Sequence, residues 1–166
     1  MVILGIDPGT ALVGYGVLAT TADRNQKPTV IDFGCITTSS SSPAGKRLVI
    51  IHKEINQLIK KYKPDTISIE SLYFFKNLKT AMPVAQAKGV IMLAAAQNNI
   101  TTKEFTPLQM KMAVVGYGRA EKKQVQAMTK ELLDFGTLEL GQGHRKKDDA
   151  ADALGVALCA FLASPK

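Results

Sequence analysis

Tryptophan is absent from this chain, aromatic residues make up 6% of it, and cysteine occurs twice. Cys35 and Cys159 stand far apart in apolar runs, without metal-ligand spacing, which excludes a disulfide scaffold and leaves buried thiols in a reducing compartment. No apolar run approaches the ~18 residues of a membrane span, and the acid at position 7 comes too early for a secretory leader. A soluble, cytoplasmic protein is expected. Acids are the scarcer charge, 14 against 21 Lys and Arg, a net +7 that suits a phosphate-bearing partner such as a nucleic acid. At 166 residues the chain can bury a core without staples, and 1–166 reads as a single domain.

What is present is patterned. ILGIDPGT (3–10) is an apolar run that stops at Asp7 and turns through Pro8-Gly9, so the carboxylate belongs where a buried strand leaves the core. LVGYGVLAT (12–20) and TVIDFGCITTS (29–39) read as the next two strands of an antiparallel meander, and SSSSPAG (39–45) as a connecting loop. Leu48, Ile51, Ile55, Leu58, Ile59 and Tyr62 recur at helical spacing over 46–62. TISIE (66–70) is a strand ending in Glu70, and the helix before it makes it a parallel neighbour of the first. Residues 77–97 read as a helix of small residues in which Pro83 marks the first turn. TTKEFTP (101–107) is a fifth strand, RAEKKQVQAMTKELLDF (119–135) an amphipathic helix, and DDAADALGVALCAFLAS (148–164) an apolar helix that starts on acids. The order predicts an α/β fold with a mixed five-stranded sheet flanked by helices.

Four acids share one destination in that fold. Parallel strands end at the same sheet edge, so Asp7 and Glu70 emerge side by side. Asp149 and Asp152, three apart, share a face of the last helix. Taken singly each has an ordinary explanation: an Asx turn at Asp7, an exposed strand end at Glu70, an N-terminal cap at Asp148 or Asp149. Asp148 is assigned to capping, whereas Asp152 lies a turn inside an apolar helix. Two carboxylates ~4 Å apart repel by about 4 kcal/mol at an effective dielectric near 20, so gathering four calls for protons or hard divalent cations. A carboxylate cage in a basic protein is the arrangement of two-metal phosphoryl chemistry.

Four segments, ILGIDPGT with GYGV, IESLYFFKNLKTAMPVAQAKGV, KMAVVGYGRAEKKQVQ and DAADALGVAL, resemble in order and over nearly the whole chain the motifs of the RuvC family of bacterial Holliday-junction resolvases. The resemblance implies an RNase H-like fold and a homodimeric crossover junction endodeoxyribonuclease. It further implies paired, symmetric nicks in a four-way DNA junction during recombination and repair. Asp7, Glu70, Asp149 and Asp152 fall on the family's catalytic, metal-holding tetrad, with two Mg²⁺ per site and Mn²⁺ as a substitute. Lys111 and Lys122 coincide with lysines that contact DNA near the scissile phosphate, and Lys76, Arg119 and Lys123 join them as DNA contacts. Tyr73, where the family usually has Phe, takes the role of stacking on a base at the branch point. The resemblance also implies the RuvA/RuvB branch-migration helicase as a partner.

Plainer explanations stand beside these. Tyr73, Phe74 and Phe75 can seal a helix to the sheet, and lysines around VVGYG can be a solvated helix face. His144, in the basic loop His144-Arg145-Lys146-Lys147, reads as an ordinary loop histidine rather than a proton shuttle or ligand. GIDPGT also resembles the phosphate loop of actin-like ATPases and sugar kinases, which need two large lobes. Small RNase H-like nucleases acting on RNA share the Asp-Pro-Gly turn but not YFFKN. A catalytically silent DNA-binding module would gain by losing its acids. The stretch from about Ala81 to Ala96 is the expected dimer contact, with tight packing on the sheet as its alternative.

Overall fold

The computed structural model describes residues 1–21, 23, 25–71, 78–138 and 145–164, and only the backbone of 78–80 and 145–147. The elements are β1 (Val2–Asp7), β2 (Leu12–Ala19), β3 (Thr29–Thr37), α1 (Ala44–Tyr62), β4 (Thr66–Glu70), α2 (Leu78–Gln97), β5 (Thr101–Phe105), α3 (Pro107–Val115), α4 (Lys122–Leu132) and α5 (Arg145–Leu162). One sheet runs in the order β3-β2-β1-β4-β5. Its first three strands pair antiparallel, while β4 runs parallel to β1 and to β5. This is the mixed five-stranded sheet flanked by helices that the element order predicts.

Alternation along the strands divides the core in two. Ile3 and Leu18 pack with α3, α4 and α5, whereas Leu4, Ile6, Val13, Val17, Ile67 and Ile69 pack with α1 and α2. β1 is therefore buried on both faces, which is why it reads as a continuous apolar run. α5 lies directly on the sheet because glycines clear its path. A Cβ at Gly5 would stand 2.1 Å from the Ala153 carbonyl oxygen, and one at Gly14 would stand 2.1 Å from that of Asp149. Gly14 is paired with Asp7 and Gly5 with Gly16, so the channel crosses both central strands. Ser68 Oγ donates to the Val156 carbonyl at 2.7 Å, fastening α5 to β4 as well.

Four boundaries differ from expectation. The fifth strand stops at Phe105, and Thr106-Pro107 opens α3, a helix the periodicity did not reveal. Thr106 Oγ1 accepts from the Gln109 N–H at 3.1 Å while Gln109 Oε1 accepts from the Thr106 N–H at 2.8 Å, a reciprocal cap with proline at the first helical position. α2 begins at Leu78 and carries Pro83 inside it. The proline removes one backbone hydrogen bond, and the buried stripe Ala87, Ile91, Ala94 and Ala95 outweighs that loss. α4 is shorter than 119–135 because Glu121 and Gln124 form its cap. α5 begins at Arg145, so Asp148 lies in its first turn, where the helix dipole favours an acid, and is not its cap.

Candidate active site

β1 and β4 are in register through Ile6 and Ile69, so Asp7 and Glu70, the next residues, leave the sheet side by side. Both continue the face that Gly5 and Ser68 present to α5. The glycine channel lets the first turns of α5 approach that edge, and Asp149 and Asp152 arrive there with it. The four carboxyls feel one another. Asp7 is pushed from the ordinary 3.8 up to about 8, first by burial, then by the charges of Glu70, Asp152 and Asp149, and by a hydrogen bond to Glu70. Glu70 is raised by burial and by Asp152, against the hydrogen bond from Asp7. Burial likewise raises Asp149, with Lys122 opposing.

Lys122, which opens α4, places Nζ 2.5 Å from Asp152 Oδ2. Burial acts to lower its pKa, but the hydrogen bond to Asp152 and the charges of Asp152, Asp148 and Asp7 prevail and raise it. Gln126, one turn further along α4, donates through Nε2 to Asp152 Oδ1 at 3.2 Å. Sequence reasoning missed Gln126. Its i+4 spacing from Lys122 was a signal, but only the docking of α4 on α5 reveals what that face meets.

The donor set is carboxylate oxygen throughout, which suits a hard divalent cation of the Mg²⁺, Mn²⁺ or Ca²⁺ kind and not a soft one. As the side chains stand, no three His, Cys, Asp or Glu groups among the described residues close around one ion. The Lys122 ammonium pairs with Asp152, and burial with the neighbouring carboxyls raises Asp7 and Glu70 above their ordinary values.

The basic residues are placed unevenly. Lys111 is partly buried on α3, Arg119 is exposed ahead of α4 and Lys123 is exposed on it. No hydrogen bond or ion pair joins these three to the acids among the described residues. Tyr73, Lys76 and His144 lie outside the described residues. Cys159 is buried, with its thiol pushed up to about 12 by burial, and Cys35 is partly buried.

The family model "Crossover junction endodeoxyribonuclease RuvC" matches residues 3–160. A protein of that name from Fusobacterium nucleatum is 47% identical over 158 residues, covering 95% of this chain and 78% of its own. Its namesake from Ruminiclostridium cellulolyticum is 48% identical over 159 residues, covering 96% and 90%. The solved structure of Thermus thermophilus RuvC in complex with Holliday junction substrate superposes with a TM-score of 0.85 at 28% identity, covering 98% of this chain and 93% of that one. The shared fold is the RNase H-like fold.

Proposed function

From the premise that this chain belongs to the RuvC family of crossover junction endodeoxyribonucleases, we propose that Asp7, Glu70, Asp149 and Asp152 are its catalytic, metal-holding residues. The chain is a nuclease that hydrolyses phosphodiester bonds of four-way DNA junctions, in recombination and repair. The observation that carries the site is the convergence of four carboxyls: Asp7 and Glu70 follow an in-register pair of strand residues, and the glycine channel seats the helix that bears Asp149 and Asp152 over them. Two Mg²⁺ ions, with Mn²⁺ as a substitute, supply Lewis acidity at the phosphate, an acidified water and neutralisation of the leaving oxygen when bound. Asp7 and Glu70, raised by burial and by their neighbours, would hold the cation load in their deprotonated form, with Asp149 and Asp152 completing the set. Lys122 exchanges Asp152 for a phosphate oxygen of the strand being cut, while Gln126 keeps hold of Asp152. Lys111, Arg119 and Lys123, with Lys76, draw the phosphate backbone in, and Tyr73 stacks on a base at the branch point.

Residues 1–166 work as one nuclease domain. Among the described residues no helix is long and apolar enough to cross a membrane, and the cytoplasm, where the junctions arise, is the proposed location. The RuvA/RuvB helicase is the proposed supplier of those junctions. Incubation with Mg²⁺ and equal amounts of a four-way junction, duplex DNA, an RNA/DNA hybrid and structured RNA tests the reading. Rapid, paired nicking of the junction is expected; preference for the hybrid or for RNA would replace it with an RNA-processing role.

Paired cuts on a two-fold substrate call for two chains related by that axis. α2 offers the contact because it has two apolar faces. Ala87, Ile91, Ala94 and Ala95 pack inward, while Met82 at 65% exposure, Leu93 at 51% and Met92 at 38% face out beside Gly89. A Cβ at Gly89 meets nothing within 4 Å in the single chain. Gly89→Leu should therefore leave the monomer as stable as before, yet shift sedimentation from dimer to monomer and yield singly nicked junctions. A dimer that persists with paired nicks would move the contact elsewhere.

A further inference from the structure

Glu70, the last residue of β4, and Ser71 just after it point to opposite faces of the sheet. Glu70 joins the acids on the α5 side. Ser71 continues the ladder one step, its N–H donating to the Phe105 carbonyl at 2.8 Å, and its hydroxyl turns to the α2 side. There Ser71 Oγ donates to Glu104 Oε2 at 3.0 Å, and the same oxygen accepts from Lys88 Nζ at 2.6 Å. Glu104 stands on β5 in register with Ile69, the residue before Glu70. The Lys88 side chain is 19% exposed and reaches across from α2. Lys88 and the Ser71 hydroxyl keep Glu104 below the usual carboxylate range, so this acid stays charged. One carboxylate oxygen thus ties together a helix, an edge strand and the residue following Glu70.

We propose that the Lys88–Glu104–Ser71 clasp is a positioning device for the reaction, holding the end of β4 so that Glu70 keeps its place among the other three acids. The inference rests on the assignment of Glu70 to the catalytic set. The need is physical: carboxylates gathered at one sheet edge repel one another, and a strand end with nothing gripping its far face would relieve that repulsion by swinging outward. Such a swing of about 1 Å is enough to cost a large part of the rate. The clasp grips the far face, where its charge cannot be mistaken for part of the acid cluster. Its residues touch no reacting atom, so they are positioning residues and not catalytic ones.

Lys88→Met keeps the length and apolar stem of the side chain but removes the ammonium. A misplacement of about 1 Å caused by a change away from the reacting atoms costs up to about 10²-fold. The expected result is a kcat on the four-way junction about 10-fold lower with KM unchanged. In the DNA-free protein, the Mn²⁺ concentration that half-saturates the rise in melting temperature should increase about 10-fold. Lys88→Arg should restore both, and Glu104→Gln combined with Lys88→Met should be no worse than either alone. Lys60→Met, on the outer face of α1, is the control. A Lys88→Met protein with normal kcat and normal Mn²⁺ response overturns the proposal. So does a raised KM and weakened junction binding in EDTA at unchanged kcat, which would make Lys88 a DNA contact. Glu70→Gln is measured alongside. If it still cuts, the catalytic assignment falls and the clasp with it; if it is dead while Lys88→Met behaves as wild type, the clasp alone falls.

Discussion

Asp7→Asn is expected to abolish junction cleavage and, in the same protein, to make the metal-free fold harder to melt at pH 8. The first effect follows from the proposed metal-holding role of Asp7, since an amide lacks the charged oxygen that role needs. Lewis-acid stabilisation is worth several kcal/mol, so the loss should reach about 10³-fold or more. The second follows from proton linkage. The folded pKa of Asp7 is about 8 against an ordinary 3.8, so between these values the folded chain holds a proton that the unfolded chain has released. Stability therefore falls as pH rises through that window, contributes nothing below about pH 4, and levels off above about pH 8. Even half of that linkage, about 2–3 kcal/mol, should raise the melting temperature of the Asn variant at pH 8 in EDTA by roughly 5–10 °C. The gain should vanish at pH 4. Thermal scans at the two pH values check the sign, and an Asp7→Asn protein no more stable than wild type at pH 8 would mean that the acids are not crowded when the metal is absent.

Gly14→Ala should produce the other large loss, from a single methyl group that adds no charge. Its Cβ would fall 2.1 Å from the carbonyl oxygen of Asp149 and 2.5 Å from that residue's carbonyl carbon. Backbone cannot rotate away as a side-chain tip does, so α5 must lift from the sheet at the turn that carries two of the acids. Overpacking of this kind costs about 1–3 kcal/mol of stability, and the displaced turn should lower cleavage by about 10²-fold. The diagnostic is selectivity. Gly45→Ala, in α1 where a Cβ meets nothing within 4 Å, should raise stability by about 0.5–1 kcal/mol and leave cleavage unchanged. Equal behaviour of the two variants, read by melting temperature and initial rate, would remove the close approach of α5 as the basis of the site.

The acids were legible because each obeys a local rule that survives folding. Asp7 and Glu70 stop apolar strands, and Asp149 and Asp152 keep the i, i+3 spacing of one helix face. What stayed hidden depends on neighbours distant in the chain. Gly5, Gly14 and Gly16 look in the sequence like small residues diluting two strands, and only the descent of α5 onto them shows why no larger side chain fits. Lys122 stands out in the sequence only through the family resemblance, and its pairing with Asp152 shows only when α4 docks. Lys88 and Glu104 are separated by a strand boundary whose register no periodicity predicts. α3 is hidden for a different reason: Thr-Pro reads as the end of a strand, although Thr106 with Gln109 three residues later is itself a helix-start signature.

The placement of α5 on β1 and β2 also sets when the enzyme comes into being. Asp7 and Asp149 are roughly 140 residues apart in the chain, and the helix carrying the second covers the strand carrying the first. As the polypeptide emerges during synthesis, β1, β2 and β3 can pair early through local hairpins, but they expose the bare glycine channel and, of the four acids, Asp7 alone. Contacts of such long range form late and slowly. On the proposed assignment, until residues 149–152 have been made and laid down the nascent chain holds only half of the acids and should not cut DNA. Assembly of the fold thus acts as a safety catch on the nuclease.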